Sequence, residues 1–467
     1  MAKNFVGEAA SREEDEVRYG WVYKGGTLHC DGMALERLRQ DLRQEFGYLA
    51  SPAFVYSSAT LTNNVRRYRD ALAPLEARGV LSYALKANSN PALVKVLREA
   101  GVQMATTVSG NEILLALSAG FPGRQIIFNG NGKRRWEVEL AVRRGVLLNV
   151  DSGFDARQVV EVAGEVGIRP RVLVRLNPAI NPQTHPYLAT ALADSKFGVD
   201  SDQLEQVLRE LGSGGRVAVV GVHIHAGSAL THLPVYVEMM QAAVRTLHQI
   251  RESGWDEASI INLGGGLDVP HTPPSPKIFN STQPPSSPLA TTSPTGTMET
   301  STPTPGELVQ VVLPHLPEGV TLLLEPGRSL VATAGVLMTQ VLGVKVNAGR
   351  KFVVVDAAIT EVIRPAFYGV QHPLLYISPP SHQDVAEVDV VGPLSENGDF
   401  LARRCLLQRP PAVGAALVVW EAGAYCASMA SNYNLRPRAI EVLVQDAGSF
   451  KVIRRPQEFA DLVRDYL

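Results

Sequence analysis

The sequence predicts an α/β protein: a (β/α)8 TIM-type barrel followed by a C-terminal antiparallel β domain. Three observations predict it. From residue 53 to about 330, short apolar or β-branched runs alternate with longer amphipathic stretches, the pattern of βα units and a parallel sheet. Eight such runs occur, at 81–86, 104–108, 126–129, 147–150, 172–176, 217–225, 260–263 and 322–325. Eight parallel strands in about 250 residues suit a closed barrel better than an open sheet. After residue 330 the texture changes to closely spaced β runs with no long helix until 456–466.

Residues 1–52 are polar, with an amphipathic stretch at 34–46, and are expected to add strands to the β domain. Between the barrel runs, Tyr236, Met240, Ala243, Leu247 and Ile250 share one helical face, which assigns Met239 and Met240 to the core. Between Pro270 and Pro305 lie ten of the chain's 31 prolines together with many Ser and Thr. Such a composition cannot bury enough apolar surface to fold alone, so 270–305 reads as a disordered insertion in a loop after the seventh strand. The domains expected are thus 1–52, a barrel at 53–330 carrying this insertion, and a β domain at 331–467.

The chain's 467 residues are 45% hydrophobic and 19% charged, with net charge −2. A near-neutral balance leaves no electrostatic footprint for nucleic acid or an anionic membrane. No apolar run approaches the length of a membrane span. Cys30, Cys405 and Cys426 are odd in number and scattered, which argues for a reducing compartment and against a disulfide framework or a zinc site. The acidic residues Glu8, Glu13, Glu14, Asp15 and Glu16 fit neither a signal peptide nor a transit peptide.

Each barrel run ends in polar or glycine-rich residues, and chemistry in such barrels gathers at the C-terminal ends of the strands. Lys86 stands as the last long side chain of the first run. Either its stem lies on apolar surface with its head in water, or it is a desolvated amine able to form a Schiff base with a carbonyl cofactor. His223 and His225 share a strand face by the period of two. They read as two satisfied core histidines, as a flat partner for a planar ring, or as a metal site, though no third ligand of suitable type lies nearby. Gly264-Gly-Gly266, Gly227-Ser228 and Gly327 lie on the same rim and together suit one phosphate. Glu325 could hold a proton on a ring nitrogen or form an ion pair at the mouth. Arg328 offers a fork for a carboxylate.

A resemblance now becomes visible. Tyr83-Ala-Leu-Lys-Ala-Asn88, Ser195-Lys-Phe-Gly198, His223-Ile-His-Ala-Gly-Ser228, Gly264-Gly-Gly266 and Glu325-Pro-Gly-Arg-Ser329 look like the motifs of the fold type III pyridoxal-phosphate decarboxylases. Ile363-Arg-Pro-Ala-Phe-Tyr368, Gly392-Pro-Leu-Ser-Glu-Asn-Gly-Asp399 and Gly423-Ala-Tyr-Cys-Ala-Ser-Met-Ala-Ser-Asn-Tyr-Asn434 are similar to the diaminopimelate decarboxylases, particularly the plant type. The resemblance runs from about residue 50 to the end, outside the insertion.

It implies pyridoxal 5'-phosphate as cofactor, on Lys86 as a Schiff base, with His225 stacked on the ring and Glu325 at its nitrogen. It implies Ser228, Gly264, Gly265, Gly266, Gly327 and Tyr425 around the phosphate, and Arg328, Arg364, Tyr368, Glu396 and Tyr425 on the substrate. It also implies a homodimer whose site is completed by the partner's loop 392–399. Two motifs depart from the family, and no transit peptide is visible although its plant members work in plastids. Ser395 stands where the family carries Cys as a catalytic residue, and Leu267-Asp-Val-Pro270 replaces the usual Leu-Gly-Ile-Asp-Tyr. The reaction implied is decarboxylation of meso-diaminopimelate to L-lysine, in the plastid stroma or the cytoplasm. The alternatives are a decarboxylase of ornithine, arginine or a carboxylated polyamine, and a silent relative that only binds a partner.

Overall fold

Apolar and β-branched residues pack well on a pleated surface, and each expected run contains a strand. The computed structural model describes residues 20–181, 190–192, 194–274, 302–380, 384–408 and 411–466. The barrel strands are β1 (Gly79–Ala84), β2 (Met104–Thr107), β3 (Ile126–Phe128), β4 (Leu147–Val150), β5 (Arg171–Asn177), β6 (Ala218–His223), β7 (Ile260–Asn262) and β8 (Thr321–Leu324). Each pairs in parallel with the next, and β8 closes on β1 through Leu322–Gly79, Leu323–Val80 and Leu324–Leu81. Lys86 lies beyond β1, in a 3-10 turn (Leu85–Ala87) rather than on the strand itself.

The period of two sorts the strand residues into faces. Phe128, Leu148, Val172 and Leu322 join the large core beneath the outer helices. Ile127, Leu147, Leu173, Val220, Ile260 and Leu323 form a separate cluster, the apolar floor of the barrel interior. Two residues further along each strand, the same face carries Thr106, Asn129, Asn149, Arg175, Asn262 and Glu325, all buried. A bulge between Val219 and Gly221 brings His223 onto that face as well. The interior is therefore an apolar plug capped by a buried polar layer.

Ser57, Ser109 and Ser152 cap the helices at Ser58–Leu72, Gly110–Ser118 and Gly153–Val166 by accepting from backbone N–H groups of the first turn. The helix Pro234–Glu252 buries Tyr236, Met239, Met240, Ala243, Leu247 and Ile250. Among the described residues, no helix is long and apolar enough to cross a membrane.

The β region is built on the long strand Gly335–Asn347, paired antiparallel with Arg350–Val355, Ala416–Val419 and Ala53–Ser57. Ala53–Ser57, expected in the barrel, thus belongs to the other sheet, where it also runs parallel to Ile440–Val444. Its five residues are all buried, and a pentapeptide covered on both faces carries no mark of which sheet it joins. The sheet is mainly antiparallel, with a second parallel pairing between Arg350–Val355 and Val385–Val391. The N-terminal strands Trp21–Lys24, Thr27–Cys30 and Met33–Ala34 form a small sheet of their own. It is tied to the β region by Leu28 N–H donating to Ile377 O at 2.8 Å. Most of the expected insertion, residues 275–301, lies outside the described residues. On its two sides, Thr302 Oγ1 donates to Val269 O at 3.4 Å.

Candidate active site

The C-terminal ends of the barrel strands converge on Glu325, which follows β8. Its Oε1 accepts from Asn262 Nδ2 at 2.9 Å and its Oε2 from Asn129 Nδ2 at 3.0 Å. Asn149 Nδ2 donates to Asn129 Oδ1 at 3.0 Å and also contacts His223 Nδ1. With Nδ1 accepting, the His223 proton resides on Nε2, which faces Glu325 Oε2 at 3.5 Å. Burial lifts the Glu325 carboxyl above its usual range, while hydrogen bonds from Asn262, Thr106 and Asn129 and the Lys86 charge oppose that rise. Burial holds His223 well below its ordinary value, helped by the Arg175 and Lys86 charges, so it is neutral. Arg175 is itself 3.5 Å from Asp151 and lies 4.6 Å from the centre of the Phe197 ring.

Lys86 is exposed at this mouth and makes no hydrogen bond or ion pair to the described residues. His225 follows β6 with Nδ1 buried and without a hydrogen-bond partner among the described residues, and it is held neutral by burial and by the Lys86 and Arg175 charges. Gly264-Gly-Gly266 wraps against it. A Cβ on Gly264 would lie 2.7 Å from His225 Nδ1, and Gly264 has φ +64°, so glycine is required twice over. At Gly327 a Cβ would lie 3.0 Å from Ala87 Cβ and 3.3 Å from Tyr425 Oη, so the absence of a side chain lets this backbone pack closely against the Lys86 turn. Tyr425 N–H donates to Ala87 O at 2.8 Å. Arg328 donates from Nη2 to Ser228 Oγ at 3.0 Å and lies 5.0 Å from the centre of the Tyr425 ring.

Arg364, also buried, donates from Nη1 to His372 Nε2 at 2.9 Å. His372 can accept because its Nδ1–H donates to Trp420 O at 2.8 Å, and burial together with the Arg364 charge lowers it to about 3. Tyr368 lies at the far end of the short helix Arg364–Tyr368. Ser395 and Glu396 do not join the cluster within one chain. They are exposed on the loop 392–399, where Ser395 N–H donates to Asn434 Oδ1 and Glu396 Oε1 accepts from Gly398 N–H. The polar layer of Thr106, Asn129, Asn149 and Asn262 was not singled out from the sequence. Its signal was a polar residue two places after an apolar one in the same run.

The pyridoxal-dependent decarboxylase family, through its pyridoxal binding domain, matches residues 58–332. The chain is similar to a probable chloroplastic diaminopimelate decarboxylase of Oryza sativa, 38% identical over 94% of this chain and 83% of the relative. It is similar to the Aquifex aeolicus diaminopimelate decarboxylase at 35% identity, over 95% of this chain and 97% of that one. The diaminopimelate decarboxylase structure from M. jannaschii, in co-complex with L-lysine, superposes with TM-score 0.83 at 30% identity, covering 96% and 98% of the two chains. The chain belongs to the diaminopimelate decarboxylase family. A viral arginine decarboxylase at 17% identity and TM-score 0.69 shares the fold.

The residues present suit the family's cofactor, pyridoxal phosphate. A free amine at Lys86, a hydrogen-bonded buried acid at Glu325 and a neutral flat imidazole at His225 meet the needs of its aldehyde, ring nitrogen and ring face. Gly264, Gly266 and Gly327 let backbone approach closely at the rim, since a Cβ on each in turn would lie 2.7 Å from His225 Nδ1, clash with Gly227 O, and lie 3.0 Å from Ala87 Cβ. Close-packed backbone of this kind suits a phosphate.

Proposed function

We propose that the chain decarboxylates meso-2,6-diaminopimelate to L-lysine and CO2, with pyridoxal phosphate carried on Lys86. The observation that carries this reading is the pair of buried guanidiniums, Arg328 and Arg364, beside the pyridoxal site. The two are close enough that the Arg328 charge helps to depress Arg364 below its usual range, after burial. Two buried cationic forks suit a substrate with two carboxylates, one for each planar guanidinium.

When bound, the cofactor supplies an electron sink for the pair left behind as CO2 departs. The chain supplies the rest. Glu325, held by Asn129 and Asn262, keeps a proton on the ring nitrogen. His225, neutral, offers a face without competing for that proton. Ser228, the Gly264–Gly266 backbone, Gly327 and Tyr425 hold the phosphate. Arg328, Arg364 and Tyr368 grip the substrate carboxylates.

The same reading makes the protein a homodimer in which the partner's loop 392–399 brings an acidic group to the distal ammonium and a hydroxyl, at Ser395, to the position of the family's cysteine. The support is that Glu396 and Ser395 face solvent in one chain although the loop is well tied down. Asp399 accepts from Ile359 N–H and Leu394 N–H, both at 2.9 Å. The protein then works in the plastid stroma or the cytoplasm; the rice relative's chloroplastic name supports the stroma.

The test is to mix purified protein with pyridoxal phosphate and assay CO2 and lysine release from meso-diaminopimelate, ornithine and arginine in parallel. Borohydride reduction followed by peptide mapping should find the cofactor on Lys86. Release from ornithine or arginine but not from diaminopimelate would overturn the substrate assignment, and a cofactor found on another lysine would overturn the site.

A further inference from the structure

The stretch Leu267-Asp-Val-Pro270, which departs from the family pattern, leads directly to His271, and the structure gives Asp268 and His271 a task. Asp268 N–H donates to Leu230 O at 3.2 Å, which seats its carboxylate at the rim of the barrel. His271 then reaches in two directions. Its Nε2 is 3.3 Å from Asp268 Oδ2, and its Nδ1 is 2.7 Å from Glu421 Oε2, in the β region 150 residues away. Asp268 and Glu421 are both buried, while the His271 side chain is half-exposed. With both ring nitrogens facing carboxylates, the imidazole is a cation donating twice. Hydrogen bonds to Asp268 and Glu421 raise it to about 10.

The surrounding charges make this bridge consequential. The other oxygen of Asp268 lies 3.8 Å from Arg328 Nε. Glu421 Oε1 and Arg364 Nε are buried with no hydrogen-bond partner among the described residues. His372, facing Arg364, is neutral. The charged groups around His271 are therefore two carboxylates and two guanidiniums. A neutral residue at 271 would leave Asp268 and Glu421 to be neutralised by Arg328 and Arg364, the groups assigned to the substrate. A cation there satisfies the carboxylates instead and leaves the pocket with a net positive charge.

We infer that His271, at the foot of the Pro/Ser/Thr-rich segment, is a positioning residue that clamps Asp268 to Glu421 and so reserves Arg328 and Arg364 for the carboxylates of the substrate. This rests on the proposed function, since it assumes that those arginines bind substrate. It gives the departure from the family pattern a role in recognition, and it ties the root of the inserted segment to affinity.

The test compares wild type with His271→Gln, which keeps a hydrogen bond but no charge, and with His271→Arg and His271→Lys, which keep the charge. Cofactor absorbance should be the same in all four proteins, showing that the pyridoxal site is intact. For His271→Gln, KM for diaminopimelate should rise about ten-fold, the size of a typical coupling between neighbouring sites. The change in kcat should stay within about two-fold, because the loss lies in ground-state binding. At least one cationic variant should recover most of the loss. Calorimetric titration with pimelate, a seven-carbon dicarboxylate without amines, should show the same contrast in Kd without turnover.

A His271→Gln protein with unchanged KM and unchanged pimelate Kd overturns the inference. So does an equal loss in Gln, Arg and Lys variants, which would mean that shape and not charge matters. If wild type fails to turn over diaminopimelate, the functional reading falls. The pimelate comparison still decides the role of His271, since wild type binding pimelate no better than the Gln variant overturns it.

Discussion

Glu325 sets chemistry against stability within one side chain. Its carboxyl is raised by burial even though three hydrogen bonds and the Lys86 charge oppose the rise. An acid raised on folding costs nothing at pH values low enough to keep it protonated, and costs stability once pH exceeds its ordinary range, because folding then opposes ionisation. Glu325→Gln removes that cost while keeping an oxygen for Asn129 or Asn262. We expect a melting temperature at neutral pH equal to or above that of wild type, with kcat lower by about a hundred-fold or more, the scale for losing one preorganised electrostatic partner. A melting temperature several degrees lower would show the hydrogen-bonded carboxylate to be a net stabiliser.

Glu325 was legible in the sequence because it closes a strand with Pro-Gly-Arg after it. Its partners Asn129 and Asn262 were not, because a polar residue at the end of a buried strand reads as the start of a loop. Only the strand parity, Ile127 with Asn129 and Ile260 with Asn262, turns them inward together.

At the scale of elements, the loop 392–399 and the turn before Arg364 are held as one unit. Asp399 Oδ1 accepts from Ile359 N–H, and Glu361 Oε2 accepts from Ala358 N–H at 2.9 Å and from Thr360 Oγ1 at 3.0 Å. Burial raises Glu361 to about 7, with Asp399 nearby adding to the rise and Arg436 opposing it. Near pH 5 the group is largely protonated in the folded protein and costs little. Above pH 7 it is ionised and buried. Glu361→Gln should therefore stabilise by up to about 3 kcal/mol at pH 8 and by much less at pH 5. Denaturant melts at the two pH values check this, and an equal effect at both would refute the titration. The inserted segment is an element of another kind. Thr302 and Val269 already meet across its base, so deleting 275–301 closes a short gap and spares the His271 clamp. Folding and cofactor absorbance should survive that deletion, and loss of either would show that the segment is structural.

Across the whole molecule, what could be read from sequence was what a single strand or motif carries: eight runs, their polar ends, and the residues of the barrel mouth. What could not be read depends on partners far apart in the chain. Ala53–Ser57 looks like any buried strand, and its place beside Gly335–Asn347 is decided by tertiary pairing. His271 and Glu421 meet only in the fold. The loop that bears Ser395 and Glu396 is a further step removed, since one chain does not bring it to Lys86 and only the proposed dimer would. That arrangement is testable by complementation. Lys86→Ala and Glu396→Gln should each be nearly inactive alone. Co-expressed, they form mixed dimers in which one site carries both defects and the other neither. With random pairing, half of the dimers are mixed and half of their sites are intact, so the mixture should recover about a quarter of wild-type activity, as an isologous shared interface requires. Activity no higher than the sum of the separate variants would mean that each chain completes its own site, and that Glu396 reaches the substrate within one chain or does not reach it.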